Sequence, residues 1–153
     1  MGSMASLLSW PHGNAARRFA LSRDIPFTTA YHTRFPEYIQ ARTGNRVGAL
    51  VVKDRRIVST GYNGTPENMP NCSEGGCHRC AHREQYPSGT GYDLCICVHA
   101  EQNALLAAAR FGIGVEGAAL YTTMRPCFGC TKELLQAHVE AVYFLHDWIH
   151  PDP

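Results

Sequence analysis

His99-Ala100-Glu101, answered further along by Pro126-Cys127-Phe128-Gly129-Cys130, is the stretch that decides how this chain is read. One imidazole and two thiols are borderline-to-soft donors that suit zinc and leave a fourth tetrahedral place open for water. Structural zinc sites usually close with a fourth protein ligand. None stands at knuckle spacing beside His99 or Cys127. Glu101 lies two residues beyond the histidine, near enough to work beside an ion without binding it. A carboxyl group so placed can carry protons between a zinc-activated water and a leaving group. The pattern predicts hydrolytic chemistry rather than a purely structural metal, in which Glu101 would be no more than a solvated helix residue.

The neighbouring residues say where these groups sit. His99 to Phe111 reads as a helix: Ala104, Leu105, Ala108 and Phe111 recur at helical spacing, and Gly112 and Gly114 stop it. Pro126 to Ala137 reads as a second helix with proline at its first position, and Leu134, Leu135 and His138 near its end. The metal-type residues therefore begin two helices, where the partial positive charge favours thiolate over thiol. Cys127 and Cys130 are three apart and share a helical face. Ala118–Thr123 and Val139–Leu145 read as strands, and strand, helix, strand implies parallel pairing with a right-handed crossover. Upstream, the apolar run Val47–Val52, a turn at Asp54-Arg55 and the return Arg56–Tyr62 predict a hairpin. Asn63-Gly64-Thr65-Pro66 then ends the second strand in a loop. The order β-β-α-β-α-β predicts an α/β fold, a central mixed β-sheet flanked by helices.

Composition sets the outer bounds. A chain of 153 residues, 44% hydrophobic and 18% charged, is one ordinary globular domain by size and content. A net charge of +1 gives no footprint for binding nucleic acid. A small nucleotide or nucleobase substrate stays compatible, since one phosphate needs only a donor or two. No apolar run approaches the roughly 20 residues of a membrane span, and Leu7-Leu8 is too short for a secretory core. Met1-Gly2-Ser3-Met4 reads as an expression scar. Ala5 to Arg23 carries Arg17, Arg18, Arg23 and three serines with no acid, which fits an organellar transit peptide or a loosely docked terminus. Pro11, Gly13, Pro26 and Pro36 cut this region, leaving one or two helical turns at Ala15–Leu21 and at Phe35–Arg42. Residues 1–45 are thus a poorly defined N-terminal segment, and 46–153 carry the domain. Seven clustered cysteines, an odd set, suit metal binding in a reducing compartment, with the cytoplasm as default.

Residues 66–98 show no periodicity yet hold five of those cysteines. A structureless loop of that length needs something to tie it down. Cys72-x4-Cys77-x2-Cys80 with Cys95-x-Cys97 offers five thiols for four tetrahedral positions. A second, structural zinc is expected on Cys72, Cys77, Cys80 and Cys95, with Cys97, His78 and His82 as alternates. The competing reading is free or oxidised thiols in a mobile loop.

Several of these residues together resemble a known family. Val47-Gly48-Ala49, Gly61-Tyr62-Asn63-Gly64, His99-Ala100-Glu101-Gln102-Asn103-Ala104 and Tyr121-Thr122-Thr123 leading to Pro126-Cys127 and Cys130 are similar to the cytidine and deoxycytidylate deaminase superfamily. The fit is closest to the deoxycytidylate (dCMP) deaminase branch and covers about residues 46 to 147. The resemblance implies a three-layer cytidine-deaminase-like fold with a zinc-tied insertion loop. It implies hydrolytic deamination of cytosine at C4, giving a uracil nucleotide and ammonia. It assigns His99, Cys127 and Cys130 to the catalytic zinc and the proton shuttle to Glu101. Asn63 matches the asparagine that contacts the sugar, its other reading being a left-handed turn residue. Ala100 joins the substrate-binding set. Arg125 is either a bidentate phosphate contact or a solvated loop arginine. For the reading as a deaminase of another base no stacking platform is evident, although Phe128 and Trp148 could flank a base. A homo-oligomer is expected by resemblance. The long first helix of the family is not recognisable among the prolines of residues 10 to 45. The alternatives are a deaminase of another nucleobase or nucleoside, and a non-catalytic zinc-stabilised regulatory module, against which the intact Glu101 speaks.

Overall fold

The hairpin turn fixes the start of the sheet. Asp54 and Arg55 both take positive φ, 51° and 61°. Two left-handed residues in a two-residue turn match the right-handed twist of the flanking strands. In this computed structural model the described residues are 6–8, 19–22, 46–87 and 90–147. The proposed scar, most of the basic stretch Ala5–Arg23, the helical piece Phe35–Arg42 and Trp148 lie outside the described residues.

Among the described residues six strands form one sheet: β1 (Ser6–Leu8), β2 (Phe19–Ser22), β3 (Gly48–Lys53), β4 (Arg56–Tyr62), β5 (Ala119–Met124) and β6 (Ala141–His146). Their order is β1-β2-β6-β5-β3-β4. β3 pairs antiparallel with β4 and with β5, while β5 and β6 run parallel, as the intervening helix requires. The sheet is therefore mixed, as the order of elements predicts. The N-terminal segment differs from the sequence expectation. Phe19–Leu21, read as part of a helical turn, lies in β2, parallel to β6 and antiparallel to β1. The reason is tertiary: β6 otherwise presents unpaired backbone N–H and C=O groups, and a short strand satisfies them whatever its local propensity.

Among the described residues three helices follow the hairpin: the single turn α1 (His78–Ala81), α2 (Ala100–Arg110) and α3 (Phe128–Gln136). The buried apolar face of α2 is Ala100, Ala104 and Ala108, and the first two pack with Ala49, Val51, Leu120, Leu134 and Val142 in one core. Such small side chains let the helix backbone come down onto β4. At Gly61 the approach is closest: a Cβ there would stand 2.1 Å from the Ala100 carbonyl oxygen and 2.4 Å from the Ala104 nitrogen. Ser59 Oγ donates to the Ala104 carbonyl at 2.7 Å, and Asn103 Nδ2 donates to the Tyr62 carbonyl at 2.6 Å. These contacts lock the register of α2 along β4. Phe111, read as part of the apolar stripe, is instead the helix C-cap and 73% exposed. Helical spacing does not say where the last turn leaves the core.

The segment 66–98 is ordered by short 3₁₀ turns at Cys72–Glu74, Arg83–Gln85 and Tyr92–Leu94 around α1. Its buried centre is sulfur: Cys72, Cys77, Cys80 and Cys97 form a cluster separate from the main core. Its end is stitched to the loop after β4 by a two-way backbone bridge between Gly64 and Val98. Among the described residues, no helix is long and apolar enough to cross a membrane.

Candidate active site and metal centres

His99 is the N-cap of α2 and Cys127 the N-cap of α3. The two helix starts are held face to face. Gln102 accepts from the His99 backbone N–H at 3.0 Å, and its Nε2 donates to Glu133 of α3 at 2.8 Å. His99 Nδ1 consequently lies 3.5 Å from Cys127 Sγ and 3.4 Å from Cys130 Sγ. Zinc bonds of about 2.3 Å to sulfur and about 2.0 Å to nitrogen, at tetrahedral angles, put such atoms about 3.5 Å apart. The donor set therefore fits a zinc ion, with Nδ1 as the histidine's ligating atom. A hydrogen bond from Cys130 drives the Cys127 thiol down to about 3, against the opposing effect of burial and with help from His99. The same shared proton, with burial and the Glu101 charge, pushes Cys130 up. A bound dication would favour both sulfurs as thiolates.

Glu101 sits beside this trio and is not part of it. It is only 4% exposed. Cys130 Sγ points to its Oε2 at 3.6 Å, and Thr122 Oγ1 donates to its Oε1 at 3.2 Å. Burial holds this carboxyl above the usual carboxylate range, although its own backbone N–H, His99 and Thr122 pull the other way. Thr122 is a site residue that the sequence reading does not assign. It is fully buried on β5, and a buried hydroxyl on an apolar strand needs a partner, which is the signal that points to it.

The family described as the cytidine and deoxycytidylate deaminase zinc-binding region matches residues 28–146. This chain belongs to that family. The deoxycytidylate deaminase of Schizosaccharomyces pombe is 42% identical over 99 residues, 65% of this chain and 30% of the yeast protein. The matched part thus spans less than a third of that relative's length. Among solved structures, apo dCMP deaminase from the cyanophage S-TIM5 superposes with a TM-score of 0.59 at 30% identity, covering 80% of this chain and 85% of that one. The same phage enzyme in complex with dCMP and dUMP gives 0.55 at 29%, covering 78% and 80%. The cytidine-deaminase-like fold read from the sequence is thereby established, and the family match begins upstream of the hairpin, at residue 28.

The other candidate residues occupy varied surroundings here. Asn63 is 2% exposed, and its Oδ1 accepts from the Val47 backbone N–H at 3.0 Å. It is not among the residues with positive φ, so the left-handed turn reading does not apply. Ala100 is fully buried, its carbonyl against Gly61. Arg125 Nη1 lies 3.4 Å from Asp147 Oδ1, both side chains being more than a third exposed. Phe128, between Cys127 and Cys130 in the sequence, is 74% exposed.

A second donor set lies in the 66–98 segment. The Sγ atoms of Cys77, Cys80, Cys95 and Cys97 all fall within 4.8 Å of one another. Three of the pairs are 3.9, 3.9 and 3.7 Å apart, against about 3.8 Å for the edge of a tetrahedral zinc tetrathiolate. The grouping differs from the expected set in one place: Cys97 stands with Cys77, Cys80 and Cys95, and Cys72 lies outside it. Cys72 Sγ stands 2.9 Å from Cys97 Sγ, much shorter than that edge, so the two do not fill corners of one tetrahedron. The chain leaves Cys95 in extended conformation, and residues two apart in an extended chain project to the same side. Cys95-x-Cys97 therefore delivers both sulfurs. A hydrogen bond from Cys97 outweighs burial and draws the Cys95 thiol down to about 4. His78 and His82 stack on each other at 4.2 Å and stand outside the set.

Proposed function

We propose that this chain hydrolyses the exocyclic amine of a cytosine nucleotide, converting dCMP to dUMP with release of ammonia. The observation that carries this reading is Glu101, a buried carboxyl held by Thr122 beside the His99, Cys127 and Cys130 donors and outside them. When bound, zinc supplies a water acidified to a pKa of about 7. Glu101 takes up a proton, delivers it to the pyrimidine ring, and then carries one to the departing amino group. A carboxyl whose pKa is raised by burial suits both halves of that traffic. Thr122 fixes the carboxyl's orientation from β5, and the close seat of α2 on β4 holds it at its depth. Asn63 serves the sugar, Ala100 lines the substrate site, and Arg125 is offered to the 5′-phosphate. The phage relative that binds dCMP and dUMP supports this choice of nucleotide. Ammonia release from cytosine, cytidine, CMP, dCMP, adenosine and guanine tests it. Fastest turnover of dCMP is the expected result; zinc-loaded protein inert towards all six would leave the regulatory-module reading in its place.

The zinc count we propose is two per chain, the second on Cys77, Cys80, Cys95 and Cys97. Cys80→Ser should lower bound zinc by about one ion per chain while the active-site ion stays. Plasma emission spectrometry reads this directly, and unchanged stoichiometry would refute a second site. Clustered free thiols fit a reducing compartment, so we place the chain in the cytoplasm; thiol trapping in fractionated cells checks this. The partner is a small molecule: a net charge of +1 does not favour polynucleotide binding, which a salt-titrated binding assay with single-stranded DNA tests. A homo-oligomer is also proposed. Leu106, Phe111 and Phe128, 60%, 73% and 74% exposed, give large apolar surface to cover, and sedimentation velocity would show a lone protomer if the idea is wrong.

A further inference from the structure

One side chain of the cysteine-rich segment, Tyr92, stands against the active-site histidine. Arg79 lies on α1 between Cys77 and Cys80, two thiols of the second donor set. Its Nε and Nη2 both donate to the Thr90 carbonyl, at 3.0 and 2.7 Å. Its guanidinium carbon stands 5.3 Å from the ring centre of Tyr92 and 6.0 Å from that of Tyr86, within cation–π range. Gly91, at φ +65°, turns the chain between these contacts, where a Cβ would come within 2.9 Å of the Tyr86 ring. The turn sends Tyr92 towards His99: their ring centres are 6.1 Å apart with planes at 71°, an edge-to-face contact. A continuous series of contacts therefore runs from the thiol cluster through Arg79 and Tyr92 to the imidazole of the catalytic trio.

Tyr92 gives little to the fold in return for being held so firmly. It remains 41% exposed and belongs to neither buried cluster. A large aromatic side chain, fixed by a cation on one side and left open to solvent beside a zinc-type histidine, has the attributes of a ligand wall. An aromatic ring is sequence-tolerant towards nucleobases because every base has a π face. Ring centres up to about 7 Å apart still attract in offset or edge-on geometries, so a pyrimidine seated at the trio is within reach.

We propose that Tyr92 is a substrate-positioning residue whose ring contacts the pyrimidine of the nucleotide, and that Arg79 holds it in place. This rests on the reading of the chain as a pyrimidine nucleotide deaminase. The role is binding rather than proton transfer, so it appears in KM. The cysteine-rich segment is then part of the substrate site and not only a staple.

Steady-state kinetics on zinc-loaded protein with dCMP, paired with calorimetric binding of dUMP, tests this. Tyr92→Ala should raise KM and weaken dUMP binding by about tenfold or more, as loss of one base–aromatic contact predicts, with kcat changed far less. Tyr92→Phe keeps the ring and should stay within about twofold of the native protein. Arg79→Gln, which loses the fork, should shift KM the same way by a smaller factor. Native-like KM and dUMP affinity in Tyr92→Ala overturn the proposal. So does a Tyr92→Phe protein as impaired as Tyr92→Ala, or loss of zinc from Tyr92→Ala, which would mark a structural role exerted through His99. A native protein that neither binds dUMP nor releases ammonia from dCMP removes the deaminase reading itself, and this role with it.

Discussion

Glu101→Gln should retain its full zinc content and lose turnover by at least about 10²–10⁴-fold, the range that a positioned general acid–base supplies. The substitution keeps the shape of the side chain. An amide oxygen can still accept from Thr122 Oγ1, now 3.2 Å from Glu101 Oε1, so packing should survive. What disappears is a group able to take and return protons at the buried end of the site. Since Glu101 stands outside the His99, Cys127 and Cys130 donor set, zinc measured by plasma emission should match the native protein. Metal loss in the variant would make Glu101 a ligand. Surviving turnover would remove its role as proton carrier, and with it the main support for deamination.

The second large effect is expected at a residue that holds no ligand itself. Gly61→Ala puts a methyl group 2.1 Å from the Ala100 carbonyl oxygen and 2.4 Å from the Ala104 nitrogen. Both are backbone atoms of α2, so no side-chain rotation relieves the clash. The helix must move out by about 1 Å, and overpacking of this kind costs about 1–3 kcal/mol or more. In a chain of this size that corresponds to a fall in Tm of roughly 2–12 °C. Activity should fall more steeply than stability, because His99 and Glu101 open the same helix and a 1 Å misplacement can cost about 10²-fold. Differential scanning calorimetry with dCMP kinetics reads both. A variant with native Tm and native kcat/KM would mean that α2 is not seated on Gly61.

Much of the site is legible before any folding is considered. His99, Glu101, Cys127 and Cys130 announce themselves because metal-ligand chemistry admits few residue types, and because spacings of two and three residues on helix starts fix their relative positions. The hairpin, the helices and the parallel β5–β6 pair follow from hydrophobic period and turn chemistry, which are local. Thr122 and Tyr92 are not legible in this way. Each matters through a contact with a residue distant in sequence, Thr122 to Glu101 and Tyr92 to the ring of His99 by way of Arg79. A hydroxyl on an apolar strand says that Thr122 needs a partner, but neither threonine nor tyrosine says which residue that partner is.

Residues 46–147 by themselves determine an α/β sheet with a zinc-type trio and a carboxyl at two helix starts, because those patterns depend on neighbours a few positions away. Tertiary structure alone decides that Phe19–Ser22 joins the edge of β6 and that Gly61 admits the helix backbone. It also decides that Cys97 rather than Cys72 completes the second donor set. In each case the choice depends on which backbone groups or sulfur atoms meet at a particular distance, and that distance is set only once the sheet, α2 and the cysteine-rich segment have packed together.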